Sequence, residues 1–193
     1  MIGSLPTTLK VNGRNYAIRS DYRNILTIFT AFADDELSDD EKLFVCLKRL
    51  YVDFNKVPKK DYKEAYEAAF RFIECGQQAS SNSPHVLDWE KDEQLIFPAV
   101  NKVAGTEIRA LPYLHWWTFL GYFQSVDHED LLSYVLSIRQ KRAKGKRLEK
   151  WEREFFNSNK ALCSLEKVED TPKTTADTAQ SIFESLLAEG GEE

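Results

Sequence analysis

The sequence predicts a mainly α-helical fold: a helical domain of about six helices with an N-terminal β-hairpin and a disordered acidic C-terminal tail. Three observations predict it. Beyond Tyr22, apolar residues recur at spacings of three and four, the period of an amphipathic helix. Only the stretch before Tyr22 joins strand-like residues to a strong hairpin turn. Beyond Val168 the chain is polar, acidic and too poor in apolar residues to order itself. The composition of the 193 residues, 42% apolar, 30% charged and 12% aromatic, suits a globular chain, and 8 Gly and 6 Pro exclude a collagen-like or Pro-rich one. The expected organisation is a helical domain over 1–165 with its hairpin, and a flexible acidic tail over 166–193.

Thr8-Leu9-Lys10-Val11 and Arg14-Asn15-Tyr16-Ala17-Ile18 flank Asn12-Gly13, the pair that most readily takes the two positive φ angles of a type I′ turn. A lone hairpin is marginal in water, so Leu9, Val11, Tyr16 and Ile18 must pack on helices or pair with another chain's strand. Ser20-Asp21 is an N-cap for a first helix with Tyr22, Ile25, Leu26, Phe29, Phe32 and Ala33 on its apolar face. Ser38-Asp39-Asp40-Glu41 is a capping box for a second, carrying Leu43, Phe44, Leu47, Leu50, Tyr51 and Phe54. Pro58 opens a third and Gly76 closes it, with Tyr62, Ala65, Tyr66, Ala69, Phe70 and Ile73 between them.

Residues 77–86 read as a polar loop dividing the helices into two groups. Asp88 caps a fourth helix with an acidic first turn, which Pro98 should kink and Gly105 should end. Tyr113 to Phe123 is apolar nearly all round, so it must be buried on every side or partly covered by a partner. Leu131, Tyr134, Val135 and Ile138 mark another helix, Gly145 interrupts it, and a last helix carries Leu148, Trp151, Phe155 and Leu162.

The net charge of −5 argues against whole-surface attraction to nucleic acid or anionic lipid, but it hides a split. Arg139 to Arg153 holds eight basic residues and two acids, a block of +6; Glu166 to Glu193 holds eight acids and two lysines, a tail of −6. Three readings of the block stay open: a solvated helix face, a contact with the acidic tail, or a site for a polyanion or acidic partner.

No constellation for catalysis stands out, so no catalytic residue, cofactor or metal is assigned and an enzyme is not expected. The three histidines, His85, His115 and His128, are scattered, and no phosphate loop, nucleophile elbow or zinc-binding pattern occurs. His115, among tryptophans, reads first as a hydrogen-bonded core residue. Asp88 and Asp92, four apart, could face a divalent ion, but first-turn acids explain them without one. Cys46, Cys75 and Cys163 lie at long, irregular spacings that suit neither a disulfide framework nor a zinc site; Cys46 and Cys75 read as small core residues. No apolar run nears the roughly 20 residues of a membrane span, and the first residues show no signal-peptide pattern, so a soluble cytosolic protein without a membrane partner is expected.

The order of Leu5-Pro6-Thr7, the Asn12-Gly13 hairpin, Asp21-Tyr22-Arg23-Asn24-Ile25-Leu26, Asp88-Trp89-Glu90-Lys91-Asp92, Leu114-His115-Trp116-Trp117, Ser137-Ile138-Arg139 and Lys150-Trp151-Glu152 resembles the bacteriophage gene-product-fifteen family, encoded in the tail region of long-tailed phages and prophages of Gram-positive bacteria. The resemblance spans roughly residues 5–160. It implies a non-enzymatic role in tail morphogenesis in the host bacterial cytoplasm, as a tail assembly chaperone or adaptor acting on the tape-measure protein or another tail protein. Partner-binding residues come from physical argument alone: Trp116 and Trp117 in the aromatic helix, and Ile182, Phe183, Leu186 and Leu187, an apolar patch in the tail suited to folding onto a client or a sister subunit. The alternative is an accessory nucleic-acid-binding factor using 139–153.

Overall fold

In the computed structural model, which describes residues 3–75 and 86–165, Asn12 and Gly13 turn the chain with φ of 46° and 78°, the type I′ pattern. They join β1 (Thr8–Val11) to β2 (Arg14–Ala17) in an antiparallel pair with Leu9 opposite Tyr16. Among the described residues eight α-helices follow, so the fold is mainly α with an N-terminal hairpin. The described residues fall into two compact units, one of 3–75 with 113–117, the other of 86–112 with 118–165. The segment read as a loop over 77–86 lies mostly outside the described residues, and the chain passes between the units again on either side of 113–117.

In the first unit the hairpin packs on helices of its own chain, the first of the two alternatives its sequence leaves open. Val11 and Ile18 are buried, β1 lies against α3 (Tyr62–Ile73), and Ile18 bridges to Tyr51. The core of α1 (Tyr22–Ala33) is Tyr22, Ile25 and Ile28, with Phe29 and Phe32 at its edge. α2 (Asp39–Leu50) starts at the expected capping box: Ser38 Oγ accepts from Glu41 N–H and Glu41 from Ser38 N–H. Its other end is held by Arg19, whose guanidinium donates to the carbonyls of Lys48, Arg49, Tyr51 and Val52 at 2.7–3.2 Å. A cation there meets the negative end of the helix dipole.

Two expectations for α3 are corrected. Pro58 leads into a 3-10 turn, Lys59–Asp61, and the α-helix begins only at Tyr62. The residue past its end with positive φ is Cys75 (54°), while Gly76 lies outside the described residues. The buried arc is Ala65, Ala68, Ala69, Phe72 and Ile73, which leaves Phe70 exposed. Three alanines on this arc let α2 and β1 approach closely, and Tyr51 donates its hydroxyl to the Ala65 carbonyl at 2.8 Å.

In the second unit α4 (Glu93–Ala104) starts five residues after Asp88, because 88–92 form a turn in which Asp88 accepts from Glu90 and Lys91 N–H. The helix runs through Pro98 and ends at Gly105 in the left-handed conformation (φ 69°). α6 (Leu131–Ala143) closes in a Schellman motif: Lys146 N–H donates to Lys141 O and Gly145 N–H to Arg142 O, with Gly145 at φ 64°. The expected last helix is two, α7 (Lys150–Ser158) and α8 (Lys160–Cys163). Asn159 separates them, its side-chain amide donating to the Phe155 carbonyl and competing with the helical ladder. α5 (Trp116–Gln124) opens in the first unit and continues in the second. Among the described residues, no helix is long and apolar enough to cross a membrane.

Candidate functional site

The aromatic helix starts three residues later than its apolar run, because 113–115 are engaged as extended chain. Tyr22 N–H donates to Leu114 O, Trp116 N–H to Ser20 O, and the Asp21 carboxylate accepts from both Arg23 N–H and Leu114 N–H. One aspartate thus caps α1 and fixes the approach to α5. Within the described helix only Trp116 (1% exposed) and Phe119 (0%) are buried, Trp117 is partly exposed and Gly121 exposed. Of the two alternatives, burial on every side is overturned, which leaves cover by a partner; Tyr113, outside the helix, is 51% exposed.

Trp116 and Trp117 are tied to one end of α3. The Trp116 indole N–H donates to Ile73 O and that of Trp117 to Phe72 O, both at 2.8 Å, and the Trp117 ring stacks on Phe72. These carbonyls lie in the last turn of α3, where intrahelical donors run out. His115 joins the same cluster. Trp117 N–H donates to its Nδ1 at 3.0 Å, so Nε2 carries the proton and donates to Pro6 O at 3.0 Å. The imidazole is a structural crosslink to the chain ahead of the hairpin.

The same unit carries an aromatic ribbon that sequence periodicity assigns to the core. Phe44 is 49% exposed and Phe70 39%; Phe54, nearly buried, has its ring 5.8 Å from Phe44 and 5.0 Å from Tyr62. Tyr62, Tyr66 and Phe70 repeat every four residues along α3, with Tyr66 and Phe70 6.1 Å apart. Phe44 departs from the core because it follows Leu43, about 100° further round the helix. The signal in the sequence was an apolar arc wider than one helix face can bury.

In the second unit the basic block is sorted by burial. Arg139, read as part of a surface block, is 7% exposed and forms a two-pronged ion pair with buried Asp92 at 2.6 and 2.8 Å. It also donates to Val86 O and Leu162 O, while its Nε has no partner. Lys141 pairs with buried Glu152 at 2.6 Å. Burial by itself would raise the Glu152 pKa, but the Lys141 hydrogen bond and charge and the Glu149 N–H outweigh it and hold it below the usual range. Asp92 is thus an ion-pair partner and the N-terminal anchor of α4; Asp88 and Asp92 form no metal-binding group, and none occurs among the described residues. Arg142, Lys144, Lys146, Arg147, Lys150 and Arg153 stay exposed, with Trp151 (51% exposed) among them edge-on to Tyr134 at 5.5 Å. The thiols are unremarkable as nucleophiles: burial pushes Cys46 up to about 12 and Cys75 up to about 11, and raises Cys163.

The family model described as Bacteriophage Gp15 protein matches residues 1–165. The chain belongs to this family. No curated protein and no solved structure matches it. Membership in the Gp15 family carries a phage structural role in the tail region, and phage proteins as partners. Of the partner-binding residues expected in this Gp15 chain, Trp116 sits inside the first unit, Trp117 at its margin, and Ile182, Phe183, Leu186 and Leu187 lie outside the described residues.

Proposed function

We propose that this Gp15-family protein is a tail assembly chaperone or adaptor that holds the tape-measure protein, or another tail protein, in the host bacterial cytoplasm before tail-tube subunits polymerise. It works by binding, without catalysis. The observation that carries this reading is the ribbon in which exposed Phe44 and Phe70 and half-buried Tyr62 and Tyr66 line the surface over buried Phe54. Exposed aromatics in line are what an amphipathic helix of a client needs as anchors, and rings bring large contact area at small entropic cost. The hydrogen-bonding groups of His115, Trp116 and Asp92, and the two terminal nitrogens of Arg139, are committed to holding the fold, which supports binding over chemistry.

The test is co-expression of the full chain, tagged, with the tape-measure protein and with the major tail protein of the same phage, followed by affinity capture. Recovery of the tape-measure protein in stable proportion is the expected result. Capture of neither protein removes the proposal.

A further inference from the structure

We propose that the exposed cationic face of α7 and the turn before it is the docking site of the chain's own acidic segment 166–193. The structure changes how the basic block must be read. With Arg139 and Lys141 committed to buried Asp92 and Glu152, the six cations from Arg142 to Arg153 are all exposed, and none makes an ion pair among the described residues. Over 142–154 only Glu149 and Glu154 are exposed acids. A surplus of four positive charges therefore surrounds Trp151, whose ring is half in solvent.

The occupant follows from where the described chain ends. Arg139 holds the Leu162 carbonyl at 2.6 Å, and Arg139 lies three residues, just under one helical turn, before Arg142, so the chain leaves the described structure beside the cationic face. The 28 residues that follow Leu165 carry −6 and include Ile182, Phe183, Leu186 and Leu187, flanked by Glu184 and Glu189. About 17 residues separate Leu165 from that apolar group, a reach of roughly 20–25 Å for a chain of linker composition, ample for one short helix. Tethered charges of opposite sign meet at effective concentrations of order mM, far above what a polyanion in solution offers a protein of net charge −5. The carboxylates meet the cations, and an apolar side chain covers Trp151.

Zero-length carbodiimide coupling of the full chain at about 50 mM salt, mapped by mass spectrometry on the monomeric species, tests this. The expected result is amide links from Lys144, Lys146 or Lys150 to Glu184, Glu189, Glu192 or Glu193, several-fold more abundant than links from the exposed Lys10 or Lys59. Raising salt to about 0.5 M should lower them several-fold, since the Debye length then falls to a few ångströms. Trp151→Ala should lower them at low salt while leaving all six cations in place. Links spread evenly over exposed lysines, or confined to crosslinked dimers, would overturn the proposal. So would a single-stranded oligonucleotide that binds the full chain at about 0.15 M salt without reducing the links, because the face would then belong to nucleic acid.

Discussion

Trp116 and Trp117 are neighbours in sequence with different duties. The Trp116 ring is enclosed, edge-on to Phe29 at 5.7 Å, and its N–H satisfies a carbonyl that the end of α3 leaves without a helical donor. Trp116→Ala should cost about 3–5 kcal/mol in denaturant unfolding, from the cavity and the stranded carbonyl together. Trp117→Ala should cost clearly less, because part of its ring is already in water; equal losses for the two would contradict the assigned burial. Arg139 carries a comparable burden in the second unit. Arg139→Ala leaves Asp92 buried without its counter-charge and should cost about 3–5 kcal/mol. Arg139→Lys should recover only part of that, since one ammonium cannot grip both carboxylate oxygens and also reach the Val86 and Leu162 carbonyls. Full recovery by lysine would show that charge alone matters there.

At the scale of elements, the ends of helices are where the fold is most exposed to pH. α7 is started by a reciprocal pairing of Glu149 and Glu152, and Glu152 also accepts from Lys141 of α6. With the folded pKa of Glu152 held below the ordinary carboxylate value, the pair stabilises the protein fully above that ordinary value, and the contribution is lost as pH falls through the lower folded value. The difference in melting temperature between the wild type and Glu152→Gln should thus be largest near neutrality and shrink between about pH 5 and 3. A difference independent of pH would mean that the carboxylate's charge does not matter. Elements of this kind were legible in the sequence wherever a local rule decides the matter: the Asn12-Gly13 turn, the Ser38 capping box, the Asp21 cap and the Gly105 terminus all stand where the pattern puts them. What was illegible depended on distant partners. Nothing local to Arg19 reveals that it caps α2, and nothing local to Arg139 separates a buried ion pair from a solvated face. Likewise Tyr113 to His115 read as helix, until pairing with 20–22 is known. The eight helices in place of about six follow in part from Asn159, whose amide breaks a run that apolar spacing alone carries through.

On the scale of the whole molecule, the chain sorts its surface into an aromatic ribbon in the first unit and a cationic face in the second, and these are the features a binding protein of the phage tail region would use. The resemblance seen in scattered short motifs and the family match over 1–165 agree on the family, while the identity of a phage protein partner was beyond the reach of sequence, because a protein-binding surface has no fixed residue signature. The most direct measurement is the soluble yield of tape-measure protein co-expressed with the wild-type chain and with Phe44→Glu/Phe70→Glu, two exposed positions whose exchange should leave the unfolding free energy within about 1 kcal/mol of the parent's. The account predicts that the wild type keeps the tape-measure protein soluble and that the double variant, though folded, loses at least about 90% of that effect, as expected when about 1.4 kcal/mol or more of anchor energy is removed. A folded double variant that solubilises the tape-measure protein as well as the wild type would contradict it.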